Sequence, residues 1–260
     1  MVITLTTDFG LVDPFVGILK GVIAAHAPGA TVIDVTHGIP PQDVRAGALV
    51  LRHAVPYFPH GSVHVAVVDP GVGTERRALC VETATGWLVG PDNGVLSFAA
   101  PSDAVRRIVH LTDERFFLPR RSDTFHGRDV FAPVAAALAT GTAAAALGVE
   151  VHDMVRIDLP SPRVDERTVR GEVIYVDRFG NLVTNVGRET VDRIRQRRPT
   201  VRVAGTAVGS VVTSYGALAR GAAGAVVNSW DLLEIAERDG SARDRLGVGV
   251  GEPVLIEVGG

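Results

Sequence analysis

Residues 2–10 read Val2-Ile3-Thr4-Leu5-Thr6-Thr7-Asp8-Phe9-Gly10, a β-branched run that ends in an acid and a glycine turn. A helical pattern follows from Pro14 to His26, and a second β-branched run from Thr31 to Val35. Asp13 and Pro14 supply an expected N-cap and first-turn proline for that helix. Moving outward, Pro41 to Ala54 reads as a second helix and Ser62 to Val68 as a third strand. This β-α-β-α-β order predicts a parallel sheet with helices on its faces and right-handed crossovers.

Beyond it, Ala78 to Glu82 and Trp87 to Val89 read as strands around the turn Ala84-Thr85-Gly86, and Arg128 to Thr140 as an Ala-rich helix ending at Gly141. The alternation then stops. From Gly171 the pattern is mainly β: Glu172 to Val176, Leu182 to Asn185, Thr200 to Val203, Ala207 to Thr213, Ala225 to Asn228, Leu232 to Ala236 and Pro253 to Val258. Closely spaced glycines between these segments favour a small sandwich or barrel. The expected division is therefore an α/β domain over 1–158, a Pro- and charge-rich linker over 159–170, and a β-rich domain over 171–260. A length of 260 residues suits two unequal domains, because single cores stop growing near roughly 250 residues.

Composition narrows the function classes. Hydrophobic residues make up 46% and the formal net charge is -3, which describes a soluble globular protein and disfavours a nucleic-acid partner. The single cysteine, Cys80, can build neither an intramolecular disulfide nor a thiolate metal cluster, and a reducing cytoplasm fits it. The first residues lack the basic and apolar stretches of a signal peptide, and no run of about 18 apolar residues follows, so no membrane partner is expected.

Three expected parallel strands end in ionisable residues: Asp8, Asp34 with His37 nearby, and Asp69. Ligands of open α/β sheets bind beyond the carboxyl ends of the strands, so these side chains are expected to converge on one crevice. Each could equally cap the turn that follows it. Asp69-Pro70-Gly71-Val72-Gly73-Thr74-Glu75-Arg76 places a carboxylate before, and a guanidinium after, two glycines that let backbone approach a ligand. It lacks the Gly-Lys-Ser/Thr ending of a phosphate loop and does not match Gly-x-Gly-x-x-Gly. His126 sits just before the Ala-rich helix, and Asp177-Arg178-Phe179-Gly180-Asn181 reads as a hairpin turn with Gly180-Asn181 suited to positive φ. His37, His64 and His126 show no His-x-x-x-His spacing, so no metal site is expected.

Together these segments resemble the SAM (S-adenosyl-L-methionine) hydroxide adenosyltransferase family and its halogenating relatives. The matching blocks are Thr6 to Gly10, Asp34 to His37 with Pro40 to Val44, Val68 to Arg76, Gly90-Pro91-Asp92-Asn93-Gly94, Phe125 to Asp129, Asp177 to Asn181, and Asn228-Ser229 with Leu233 to Ala236. They run in order over nearly the whole chain. The resemblance implies a Rossmann-like first domain, a barrel-like second one, and a homotrimer with sites between neighbouring subunits. It implies an Asp-Arg-His set at Asp69, Arg76 and His126; Arg77 is the adjacent alternative that only the motif rejects. It implies hydrolysis of SAM to adenosine and L-methionine by water or hydroxide, without a cofactor or metal. Asp69 or His126 would take the proton, and the sequence leaves the two open.

The halogenating relatives have tyrosine in place of Asp69 and lack the histidine found at position 126, which favours water as nucleophile. The resemblance also implies Asp8 on the ribose hydroxyls, Asp177 on the methionine ammonium, Phe179 and Asn181 around the adenine, and Ser229 near the methionine carboxylate. Trp230 departs from the halogenase pattern, where an arginine pairs with that carboxylate. A SAM halogenase and a SAM- or nucleoside-binding sensor without turnover are the competing readings.

Overall fold

The computed structural model describes residues 1–258, which divide into two compact units, Met1–Ile157 and the chain from Asp158 onward. In the first unit β1 (Val2–Thr7), α1 (Phe15–His26), β2 (Thr31–Thr36), α2 (Val44–Ala54) and β3 (Ser62–Val67) follow the expected alternation. They are joined by β4 (Ala78–Thr83), β5 (Gly86–Pro91), β6 (Val105–Leu111), α3 (Ala132–Ala139) and β7 (Gly148–Val151). The seven strands form one sheet in the order β2-β1-β3-β5-β4-β6-β7. Pairing is parallel from β2 to β5 and antiparallel from there to β7. The switch comes from the short Ala84-Thr85 connection, which is long enough for a hairpin and too short for a crossover.

The helices face the sheet through spaced apolar residues. Val16, Leu19 and Ile23 are the buried positions of α1, and the 3–4 spacing puts them on one face. Leu19 and Ile23 join Ile3, Leu5, Val63, Val65, Phe131 and Leu138 in the core, each contributing roughly 1.5–3 kcal/mol by leaving water. Asp13 does not cap α1: Pro14 occupies the N-cap position, no side chain caps it, and the Pro14 carbonyl accepts the Ile18 N–H. The second helix starts later than expected, because Asp43 caps it by accepting the Ala46 N–H at 2.9 Å. The expected helix from Arg128 begins instead as a π-helical turn, Gly127–Phe131, before α3.

The second unit comprises β8 (Arg163–Val164), β9 (Thr168–Val176), β10 (Leu182–Gly187), α4 (Arg188–Arg195), β11 (Thr200–Val203), β12 (Thr206–Val212), β13 (Ala223–Val227), β14 (Leu232–Glu237), α5 (Ala242–Leu246) and β15 (Pro253–Glu257). Seven strands run β10-β14-β13-β12-β11-β15-β9, and pairing of β9 with β10 closes them into a barrel, with β8 appended to β9. Closure removes free edges. Val173, Val186, Val201, Leu233, Ile235 and Ile256 fill the interior. The segment 159–170 carries β8 and the start of β9, so its prolines and charges edge a sheet. Helix α4 interrupts the β pattern, burying Val191 and Ile194.

Candidate active site

Asp69 lies two residues beyond β3, and the loop that follows turns back so that Arg76 meets it. The Arg76 Nε donates to Asp69 Oδ1 at 3.0 Å and one terminal nitrogen donates to Oδ2 at 2.5 Å. Their side chains are only 10% and 5% exposed, where a paired guanidinium and carboxylate hold a fixed geometry. The same terminal nitrogen lies 2.8 Å from His126 Nδ1, and the guanidinium stacks 5.5 Å above the Phe131 ring. Gly73 makes the loop possible. It has φ +77°, and a Cβ there would collide with the Asp123 carbonyl oxygen, so the loop passes against the segment leading to His126 because residue 73 has no side chain.

This geometry settles the histidine tautomer. A guanidinium has no acceptor, so His126 Nδ1 must accept from Arg76, and a neutral ring then carries its proton on Nε2. That Nε2 is buried and has no hydrogen-bond partner among the described residues. Burial, and then the Arg76 charge, hold the imidazole below its ordinary pKa of 6.5 against the opposing pull of Asp69. The neutral ring thus keeps one unpartnered N–H, and His126, Asp69 and Asp8 all line a cavity of about 320 Å³. Asp8 is anchored there by the Gln42 N–H, 2.8 Å from its Oδ2, and Gln42 adopts φ +67° to deliver it.

Two neighbours of this set lie elsewhere. Arg77 reaches Asp92 at 2.7 Å and Asp153 at 2.9 Å, a structural clamp. Asp34 does not join Asp8 and Asp69 as expected. It sits within β2, opposite Leu5, 2.6 Å from Lys20 and 3.0 Å from His37. Burial pushes its carboxyl up, but the Lys20 and His37 contacts win and hold it below the ordinary value. His37 Nδ1 in turn meets Thr7 Oγ1 at 2.8 Å, tying β2 to the Asp8 turn. No group of three His, Cys, Asp or Glu side chains among the described residues could hold a metal ion.

The second unit contains a larger cavity, about 790 Å³, lined by Asp177, Phe179, Asn181, Ser229 and Trp230 among others. The Asp177 carboxylate organises its own turn: Oδ1 accepts the Phe179 and Asn181 N–H groups at 2.9 Å each, and Oδ2 accepts Asn181 Nδ2 at 2.8 Å. Only Gly180 in this turn has positive φ, +79°; Asn181 serves as a side-chain donor. Phe179 is left 75% exposed at the tip. Trp230 packs on Tyr175 with ring centroids 5.3 Å apart. Sequence reasoning missed Tyr175, Tyr215 and Glu234, which also line this cavity. Glu234 was detectable as an acid inside the apolar run Leu232 to Ala236.

The family model for the SAM hydroxide adenosyltransferase N-terminal domain matches residues 3–148, and that for the C-terminal domain matches residues 171–255. The chain belongs to the SAM hydroxide adenosyltransferase family. A relative from Salinispora tropica, named (R)-S-adenosyl-L-methionine hydrolase, is 43% identical over 265 residues, covering 99% of this chain and 98% of its own. One of the same name from Thermus thermophilus is 44% identical, covering 96% and 97%. Proteins named fluorinase are more distant, for example 26% identical over 74% of each chain for that of an Actinoplanes species. A crystal structure of an uncharacterized conserved protein from Thermotoga maritima superposes with a TM-score of 0.91 at 35% identity, covering 98% of this chain and 100% of that one. Within the SAM hydroxide adenosyltransferase family, then, this chain stands much nearer to proteins named hydrolases than to those named fluorinases.

Proposed function

We propose that this chain hydrolyses S-adenosyl-L-methionine to adenosine and L-methionine, with Asp69, Arg76 and His126 as the catalytic set. The observation that carries the reading is Arg76 bridging Asp69 and His126, two residues that line one cavity, while His126 Nε2–H is left buried without a partner. The sulfonium leaves as a neutral thioether, so attack at ribose C5′ needs neither a general acid nor a Lewis acid. In the step, the new C5′–O bond forms as C5′–S breaks, and the bonding pair goes to sulfur. What the protein supplies is an oriented, desolvated oxygen in line with that bond, worth several kcal/mol.

The tautomer divides the roles. His126 donates Nε2–H to the nucleophile oxygen and orients it; with Nδ1 committed to Arg76 and the proton on Nε2, it has no free lone pair for a proton. Asp69 therefore takes the proton from water. An anionic oxygen acceptor at this position also favours a nucleophile that has a proton to give, which chloride and fluoride lack.

The remaining roles belong to the same reading: Asp8 on the ribose hydroxyls, Asp177 on the methionine ammonium, Phe179 and Asn181 around adenine, Ser229 on the carboxylate. We infer a cytoplasmic homotrimer in which the first-unit cavity of one copy is completed by a neighbour's second unit, with SAM and water as the only ligands and no metal, nucleic acid or membrane. Support comes from the recognition residues lying in a different unit from the catalytic set, and from the net charge of -3. No helix among the described residues is long and apolar enough to cross a membrane.

The test is to incubate purified protein with each sulfonium epimer of SAM, with chelator, in ¹⁸O-labelled water, and to identify products by mass spectrometry. The relatives' name specifies the R epimer, so the epimers are assayed separately. Label in the 5′-hydroxyl of adenosine is expected. Unchanged SAM would favour a sensor, and 5′-chloro-5′-deoxyadenosine on adding chloride would favour a halogenase.

A further inference from the structure

We infer that Glu234 is a positioning residue of the second-unit cavity: held between Tyr215 and Asn228, its carboxylate sets the 228–232 turn that presents Ser229 and Trp230. The inference rests on the reading of that cavity as the SAM-recognition surface.

Glu234 lies in β14 between Leu233 and Ile235, whose side chains fill the barrel, and it is itself only 3% exposed. A carboxylate buried to that degree costs several kcal/mol unless hydrogen bonds satisfy it. Each oxygen has one donor: the Tyr215 hydroxyl donates to Oε1 at 2.8 Å and Asn228 Nδ2 donates to Oε2 at 2.9 Å. Burial pushes the carboxyl above its ordinary value, and these two bonds pull the other way.

The Asn228 amide cannot flip. Its Oδ1 accepts the Trp230 and Leu232 N–H groups at 2.9 and 3.2 Å, while its own N–H donates to the Leu232 carbonyl. With Oδ1 committed to the turn, Nδ2 must point at Glu234, and Glu234 must present an acceptor to it. A line of hydrogen bonds therefore runs from the cavity wall at Tyr215, through Glu234 and Asn228, to the backbone carrying Ser229 and Trp230. Ser229 and Trp230 both line the cavity, so recognition at this turn depends on where its backbone holds them.

The role requires acceptor geometry and not charge, which sets the test. Glu234→Leu should raise the KM for SAM about tenfold with kcat within twofold of wild type. Glu234→Gln should recover most of that loss, because an amide oxygen can still accept from Asn228 while the Tyr215 hydroxyl turns to accept from the amide nitrogen. Asn228→Ala should reproduce the KM rise without touching the barrel interior, so the inference stays testable if the leucine variant fails to fold. Glu234→Gln as impaired as Glu234→Leu, a loss confined to kcat, or Asn228→Ala with wild-type KM would each overturn it. If wild-type protein makes no adenosine, the hydrolase reading fails by itself. The same variants are then read by calorimetric Kd for S-adenosyl-L-homocysteine, with the same pattern expected and the same outcomes decisive.

Discussion

The first unit's cavity of about 320 Å³ is lined by Asp69 and His126, which the buried Arg76 bridges, whereas the second unit's, about 790 Å³, is walled by Tyr175, Phe179, Tyr215 and Trp230 beside charged groups such as Asp177 and Glu234. In the first, one side chain is over-determined: Arg76 makes three polar contacts and stacks on Phe131. In the second, the ionisable groups Asp177 and Glu234 are spent on shaping turns. The contrast teaches a division of labour. Chemistry at a single oxygen needs a few groups locked within tenths of an ångström, while holding a nucleoside and an amino acid needs area and turn geometry.

Removing the locked groups should have the largest effect. Asp69→Ala and His126→Ala are expected to lower kcat about 10²–10⁴-fold, with calorimetric Kd for S-adenosyl-L-homocysteine within threefold of wild type. Wild-type turnover in either variant would erase the contrast. Arg76→Lys should follow at about 10²-fold in kcat, since an ammonium cannot bridge a carboxylate bidentately and still reach His126 Nδ1. Arg77→Lys loosens only the Asp92 and Asp153 clamp, so it should cost about 1–2 kcal/mol in urea unfolding and leave kcat within twofold. A drop in kcat for the Arg77 variant equal to that for Arg76 would show the motif assignment to be wrong.

On the recognition side, Phe179→Ala should raise KM roughly tenfold by loss of aromatic contact with adenine, with kcat within twofold. A kcat effect as large as that of His126→Ala would mean that the two cavities do not divide the labour. The smallest expected effect sharpens the tautomer. Neutral His126 is the working form in the proposed mechanism and its folded pKa is depressed, so kcat should change less than twofold from pH 8 to 6.5. It should fall only as pH drops below 6.5 toward the lowered pKa. A pH–rate profile whose His126-dependent acid limb lies at or above 6.5 would contradict the Arg76–Nδ1 bond.

Much of the fold was legible because periodicity survives locally. The β1-α1-β2-α2-β3 order followed from β-branched runs and the 3–4 spacing of Val16, Leu19 and Ile23. Boundaries moved where capping chemistry competed, as when Asp43 began α2 three residues beyond Pro41. Strands β6 and β7 were overlooked: Val105-Arg106-Arg107-Ile108 pairs with β4, and Arg107 meets both Glu82 and Glu150 across strands, contacts no single segment reveals. Asp34 misled for a related reason, since a carboxylate near the end of a β-branched run looks like a crevice residue until its register places it beside Lys20.

For the proposed catalytic set, the residue types and the motif were readable in the chain, including the choice of Asp69, the choice of Arg76 over Arg77, and the ordered blocks that mark the family. Local sequence also determined the Gly73 and Gly180 turns, because left-handed backbone is a property of single residues. Which imidazole nitrogen keeps its proton, and whether Glu234 is a surface acid or a buried strut, were decided only in three dimensions. Those questions depend on donors and acceptors arriving from segments 19–50 residues apart, and hydrogen-bond direction is a relation between groups, invisible until both are placed.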